Sequence, residues 1–321
     1  MNKDYILRSE NLSKQFSLDA GFFAKKDNKV FAVNDISFGI ERGKTYGLVG
    51  ESGCGKTTTA RMLVRMYKAD SGKILYKENP EAEEKNIQDF NKSELRNYRE
   101  KIKYVFQDPA RSLNPRKSVY DILTASYRYS SLWQGKEEAL QRAAELMQEV
   151  GLNQADLDRR PSEFSGGQRQ RISIARALIM RPQLVFCDEV VSALDATVQS
   201  QILNLLIDIK EKHKISYLFI AHDLRVSGWF CDTIGVMYRG MLVEEAPAAN
   251  LYKEARHPYT KMLFADSSNI ENKGEVKKVL ENLHACPFAH RCPKATDLCR
   301  ESIPDWNDCG DGHKVRCHFE E

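Results

Sequence analysis

The chain has no stretch long and apolar enough to lie in a bilayer. Its longest apolar runs, such as residues 215–221, fall far short of the roughly 20 residues a spanning helix needs. The opening Met1-Asn2-Lys3-Asp4-Tyr5 lacks the apolar core of a secretory leader, so the expected compartment is the cytoplasm. A strong charge of either sign is also missing. Lys and Arg number 48 against 45 Asp and Glu, a net charge of +3 with the basic residues dispersed, so no nucleic-acid partner is expected. The eight cysteines include no C-x₂₋₄-C pair, the tight knuckle most zinc sites use. Cys54, Cys187 and Cys231 stand singly, whereas Cys286, Cys292, Cys299, Cys309 and Cys317 crowd toward the end. In a reducing compartment such crowding points to metal rather than disulfides.

What is present is enough apolar residue, 42% of 321, to bury a large core in two domains. The chain is organised around Gly50-Glu51-Ser52-Gly53-Cys54-Gly55-Lys56-Thr57, which fits G-x-x-x-x-G-K-[ST] at every fixed position. The glycines allow loop N–H groups to turn inward around a phosphate. Lys56 adds a charge for the outer phosphates and Thr57 a hydroxyl for Mg²⁺. Thr45-Tyr46-Gly47-Leu48-Val49 reads as a buried strand before the loop, and residues 58–66, opened by Thr58, as a helix after it. Phosphates would then sit on a helix N-terminus, where free N–H groups and the dipole favour anions.

Residues 5–16 and 30–40 alternate as strands around a loop at 17–29. Phe16, at the end of the first, is a candidate to stack on a purine, with Phe22 and Phe23 as competitors. Residues 79–94 are polar and read as a surface loop; 101–106 form a strand ending at Gln107; 118–123 and 136–150 read as helices. Ser165, followed by Gly166, Gly167 and Gln168, caps a helix to about Met180 with further free N–H groups. The strand 184–187 ends in Asp188-Glu189. Adjacent acids there are costly unless they serve a cation or a reaction: Asp188 suits Mg²⁺ and Glu189 suits a water-polarising base. Ser192-Ala193-Leu194-Asp195 opens the helix 196–213, and the strand 217–221 ends at His222. Gln107, Glu189 and His222 thus stand at the C-terminal ends of three strands, where ligands of an α/β sheet bind.

In this order and spacing the phosphate loop, Gln107, Ser165-Gly166-Gly167-Gln168, Asp188-Glu189, Ser192–Asp195 and His222 resemble an ABC-type ATPase domain. The resemblance covers about residues 5–245 and implies an α/β fold: a RecA-like core, an antiparallel β-subdomain and a helical insert at about 108–180. It further implies head-to-tail dimers in which ATP lies between one phosphate loop and the partner's signature. Catalysis would rest on Glu189, His222 and Gln107, with Mg²⁺ held by Thr57, Gln107 and Asp188. One position departs from the pattern: Val190 stands where such importers usually carry proline.

Asp108-Pro109-Ala110-Arg111-Ser112-Leu113-Asn114-Pro115-Arg116 and Arg256-His257-Pro258-Tyr259-Thr260-Lys261 further resemble the ATPase subunits of oligopeptide, dipeptide and nickel importers, whose C-terminal extension would occupy 246–321. The resemblance implies import of peptides, with a nickel or metal-chelate importer as the alternative and a soluble non-transport ABC ATPase beyond that. The implied partners are two membrane permeases, a paralogous ATPase subunit or a second copy, and an extracytoplasmic solute-binding protein. The implied location is the cytoplasmic face of the membrane. Cys286, Cys292, Cys299 and Cys317, spaced C-x5-C-x6-C-x17-C, suit either Zn²⁺ or a [4Fe–4S] cluster. The family resemblance implies the cluster, with Cys309 a spare and His313 and His318 as substitutes.

Overall fold

Alternation in the first 41 residues builds a long antiparallel ladder. In the computed structural model, which describes residues 3–17, 29–265 and 284–319, β1 (Tyr5–Ser17) pairs with β2 (Lys29–Glu41) from Tyr5↔Glu41 to Ser17↔Lys29. Ile6, Leu7 and Leu12 are fully buried. Strict alternation breaks between Ser9 and Leu12, where the register shifts and Asn11 takes φ 49°. The chain divides into two units, Met1–Asp89 with Phe219–Glu321, and Phe90–Leu218.

The first unit continues with β3 (Thr45–Val49), buried at every position, and α1 (Lys56–Leu63). β4 (Ser71–Tyr76) and β5 (Lys85–Asn86) complete an antiparallel sheet of order β2-β1-β4-β5. The polar stretch 79–94, expected as a surface loop, therefore contains a short strand and the start of a helix. Ile87 is the hidden anchor there, fully buried among polar neighbours.

The second unit opens with α2 (Lys92–Lys101), which sequence polarity concealed. Asn91 accepts from Ser93 N at 2.8 Å and Glu94 N at 3.0 Å, and Glu94 accepts from Asn91 N at 3.0 Å, a reciprocal cap. β6 (Ile102–Val105) follows, then α3 (Pro109–Ser112), α4 (Val119–Tyr127), α5 (Lys136–Glu149) and α6 (Gly166–Leu178). α4, α5 and α6 pack on one another, and Leu123, Ala143, Met147, Ile172 and Ala175 along them are fully buried. These are the helices expected of the insert. β7 (Leu184–Asp188) runs parallel to β6, from Ile102↔Leu184 to Val105↔Cys187. α7 (Ala196–His213) leads to β8 (Ser216–Ala221), which crosses into the first unit. Every residue of β7 and β8 is buried, as strands covered on both faces must be.

Back in the first unit come α8 (Leu224–Phe230), β9 (Thr233–Tyr238), β10 (Met241–Pro247), α9 (Ala248–Lys253), α10 (Pro258–Ala265), α11 (Asp297–Glu301), β11 (Asn307–Asp308) and β12 (Lys314–Val315). β9 runs parallel to β3 and antiparallel to β10; β10 pairs with β12 through Glu244↔Val315 and Glu245↔Lys314. The order in this unit is β11-β12-β10-β9-β3, so the end of the chain extends the sheet that carries the phosphate loop. The expected boundary at 245 falls inside β10. A buried polar knot reinforces the junction: Glu244 accepts from Arg256 N (2.7 Å) and His257 N (3.0 Å) and meets His313 Nε2 at 2.7 Å. Among the described residues no helix is long and apolar enough to cross a membrane.

Candidate functional site

β3 delivers the chain to the phosphate loop, and α1 receives it. Two glycines are dictated by close approach. A Cβ on Gly50 would stand 2.1 Å from the Met237 carbonyl oxygen, and one on Gly55 2.1 Å from that of Ala32; Gly55 also caps α1 at φ 109°. No acidic residue occupies the first turn of α1, which leaves its N-terminus electropositive for an anion. The Lys56 ammonium is buried and donates to the carbonyls of Gly50 (2.7 Å) and Glu51 (2.9 Å). The loop thereby holds a cation at its centre, on carbonyl partners that phosphate oxygens can replace. The Cys54 thiol is buried in the same loop, and burial pushes its pKa up, so it packs as a neutral group.

Glu51, the second loop residue, is gripped from the C-terminal segment. Its N–H donates to the Tyr259 hydroxyl at 2.9 Å, and both its carboxylate oxygens accept from Arg291 at 3.0 Å. Tyr259 lies inside an aromatic cluster with Tyr238 (4.5 Å between centroids) and Phe288 (5.5 Å). In the sequence the stretch around Tyr259 carries only a family resemblance, and nothing local marks Arg291.

The second unit holds the acids. Asp188 ends β7 nearly fully buried, and the Tyr104 hydroxyl donates to its Oδ2 at 2.6 Å. Tyr104 was not singled out in the sequence, although it lies three residues before Gln107 on the neighbouring strand. The Gln107 amide nitrogen donates to Glu189 Oε2 at 2.6 Å. That leaves the amide oxygen of Gln107 as the atom able to face a cation. Glu189 adopts φ 47° and its carbonyl accepts from the Ser192 hydroxyl at 2.9 Å, so the turn after the acid is made without proline. Val190 is simply buried there. Asp195 ends the turn by capping α7, accepting from Val198 N at 3.0 Å, with Ala193 and Leu194 between.

Ser165 caps α6 as expected: its Oγ accepts from Gln168 N at 3.3 Å, and Gln168 Oε1 accepts from Ser165 N at 2.9 Å. The Gln168 side chain thus folds back on its own helix start. Gly166 has open space where a Cβ would be, which keeps the approach to those N–H groups clear. His222 is exposed just past β8. Phe16 is exposed and meets Tyr67 edge-on at 5.6 Å, with Lys14 Nζ 5.5 Å over its ring. The competitors Phe22 and Phe23 lie outside the described residues.

The ABC transporter family matches residues 33–192, and the oligopeptide/dipeptide transporter C-terminal region matches residues 243–299. The oligopeptide transport ATP-binding protein AppF of Bacillus subtilis is 39% identical over 99% of this chain and 98% of its own length. The chain belongs to the oligopeptide/dipeptide branch of the ABC transporter ATPases. The dipeptide transport ATP-binding protein DppF of Haemophilus influenzae is a further relative, 38% identical over 97% of this chain and 96% of that protein. Among solved structures, CbiO1 of Clostridium perfringens, part of an ABC transporter complex, superposes with TM-score 0.66 at 26% identity, covering 78% of this chain and 92% of that one. The ATP-binding cassette MJ0796, dimeric and bound to ADP and phosphate, superposes with TM-score 0.64 at 25% identity over 75% of this chain and 98% of that one.

Cys286, Cys292 and Cys299 fall within the matched C-terminal region and Cys317 lies beyond it. Cys286, Cys292, Cys299 and Cys317 line one cavity with Phe288, Pro258 and Pro304, so the four thiols expected to act together do converge. Their ligand role is not supported, however. Among the described residues no group of three or more His, Cys, Asp or Glu side chains is arranged to hold a metal ion. The cavity measures about 20 Å³, room for one water at most. Burial, with the other three thiols adding to it, pushes Cys286 up to about 11. The four cysteines pack against one another around this small cavity, and a four-iron cluster enters only if the loop parts. Of the spare and substitute donors, His313 is committed to Glu244, the Cys309 thiol points to the Asn307 carbonyl and His318 meets the Ser302 carbonyl at 3.1 Å.

Proposed function

We propose that this chain is the ATP-hydrolysing subunit that powers peptide import through a membrane transporter, seated on the cytoplasmic face of the membrane. The observation that carries it is end-to-end similarity to peptide-transport ATP-binding proteins in a chain whose phosphate loop and acid pair are intact. In this reading residues 50–58 receive the triphosphate: loop N–H groups and Lys56 take its oxygens, and Phe16 stacks on adenine. Thr57, Asp188 and Gln107 would hold Mg²⁺, which when bound neutralises charge on the β- and γ-phosphates. The Asp188 carboxylate, buried at the end of β7 and accepting from the Tyr104 hydroxyl at 2.6 Å, suits that cation. Glu189 orients and polarises the attacking water. The Gln107 amide fixes its carboxylate, and His222 faces the γ-phosphate.

Ser165–Gln168 and Ser192–Asp195 serve a partner ATPase, a paralogue or a second copy, across a head-to-tail interface. The α6 N-terminus supports that reading, because beside the Gln168 N–H that Ser165 caps, a helix start presents further N–H groups to an anion. Residues 108–130 dock on the permeases, and a solute-binding protein supplies the peptide. For the tail, a metal cluster on the four cysteines, iron–sulfur before zinc, belongs to this reading only if the closed thiol cavity opens to admit it. Reconstitution with candidate permeases in vesicles tests the function. Peptide uptake should require ATP and vanish with Lys56→Ala; uptake that survives Lys56→Ala removes this chain as the motor.

A further inference from the structure

We propose that the C-terminal extension clamps the phosphate loop, with Arg291 neutralising Glu51 and Tyr259 holding its N–H so that the loop keeps a shape and charge fit for nucleotide. The inference deepens, and rests on, the nucleotide reading of residues 50–57.

Three ends of one loop residue are held at once. The Glu51 N–H meets Tyr259, its carboxylate meets Arg291, and its carbonyl accepts from Lys56 Nζ at 2.9 Å. The first two partners lie 208 and 240 residues away along the chain. A shift of Glu51 therefore moves both the N–H cradle and the ammonium it restrains. The clamp itself is rigidly based. Tyr259 is fully buried, and the Arg291 guanidinium lies 5.9 Å over both the Tyr238 and Phe288 rings and reaches the Met262 sulfur at 3.7 Å. Phe288, buried and central to that cluster, sits between Cys286 and Cys292 and lines the thiol cavity with them. Arg291 adjoins Cys292 directly. The cysteine-bearing segment is thus the support of the clamp, and its packing is read at the loop.

Electrostatics give the clamp a reason. A carboxylate on the second residue of a phosphate loop repels a triphosphate, and an unpaired one a few ångströms away costs about a factor of five in affinity at a partly exposed site. Arg291 cancels that charge through a charge-assisted contact in which one guanidinium nitrogen donates to both carboxylate oxygens.

Positioning by charge differs from simple packing in what a second mutation does. The test measures the affinity of the full-length chain for a fluorescent trinitrophenyl-ATP, with thermal melts run alongside. Arg291→Met keeps the stacked stem and removes the charge; it should weaken binding about five- to tenfold. Arg291→Lys should recover most of the loss. Adding Glu51→Gln to Arg291→Met removes the uncompensated carboxylate and should recover most of the loss. Tyr259→Phe, which removes only the hydroxyl, should weaken binding about threefold and serves if Arg291→Met fails to fold. Lys56→Ala is the reference. If Lys56→Ala abolishes binding while Arg291→Met and Tyr259→Phe bind like wild type, the clamp is wrong and the nucleotide site stands. A double variant no better than Arg291→Met also overturns the charge argument. If Lys56→Ala binds like wild type, the nucleotide reading fails and the clamp falls with it.

Discussion

Replacing Glu244 with leucine should loosen the C-terminal extension from the sheet that carries the phosphate loop. The Glu244 side chain is fully buried on β10, and its three partners all come from the extension: Arg256 N at 2.7 Å, His257 N at 3.0 Å and His313 Nε2 at 2.7 Å. Leucine fits the space but leaves two N–H groups and an imidazole nitrogen without partners where water is excluded. Each such group costs about 1–3 kcal/mol. Taking the lower part of that range, because the segment relaxes and some groups reach water, the loss is about 3–5 kcal/mol, a large share of an ordinary protein's stability. At roughly 2–4 °C per kcal/mol for a unit of this size, the melting temperature falls by about 6–20 °C. Calorimetry or a dye-monitored melt reads the shift, and limited proteolysis shows where it acts: cuts should appear first beyond residue 255. Glu244→Gln, which keeps an acceptor but turns an amide toward a donor, should lose about half as much. A Glu244→Leu protein that melts with wild type and keeps its extension protected would refute the reasoning.

Two further outcomes follow from single groups. Burial lowers the Lys103 pKa from 10.5 to about 8. The unfolded chain therefore holds that proton more tightly, and the penalty is full below pH 8 and fades as pH rises through 10.5. Lys103→Met should stabilise the protein at pH 7 by about 1–2 kcal/mol, less than the roughly 3 kcal/mol ceiling because its bond to the Arg99 carbonyl is lost, and urea melts across pH 7–10.5 should show that gain shrinking. Protein purified without oxygen and assayed for iron and sulfide should carry about four irons per chain if the thiol loop opens to a cluster; colourless protein free of iron and sulfide ends that reading.

The parts of the fold that sequence disclosed are those with local chemistry. The phosphate loop, the Ser165 cap, the apolar strand 184–187 and the acids after it each declare themselves within a few residues. Helix α2 did not, because its start is a polar capping box at Asn91 and Glu94 and its strand neighbour β5 is two residues long. The extension's junction with the sheet was hidden for the same reason: β11 and β12 are too short to carry a period. The Arg291–Glu51 contact has no local signal, since its partners are brought together only by the tertiary fold. Cysteine spacing showed that four thiols can converge, and they do; it held no information on the room between them.

The central claim, that Glu189 drives ATP hydrolysis in a peptide-importer subunit, is tested most directly by Glu189→Gln in the assembled transporter. Glutamine keeps the shape and the turn but not the charge that polarises water, a role typically contributing about 10²–10⁴-fold. Nucleotide binding should stay close to wild type, with steady-state ATP turnover reduced at least a hundredfold. Turnover within a few-fold of wild type would contradict it.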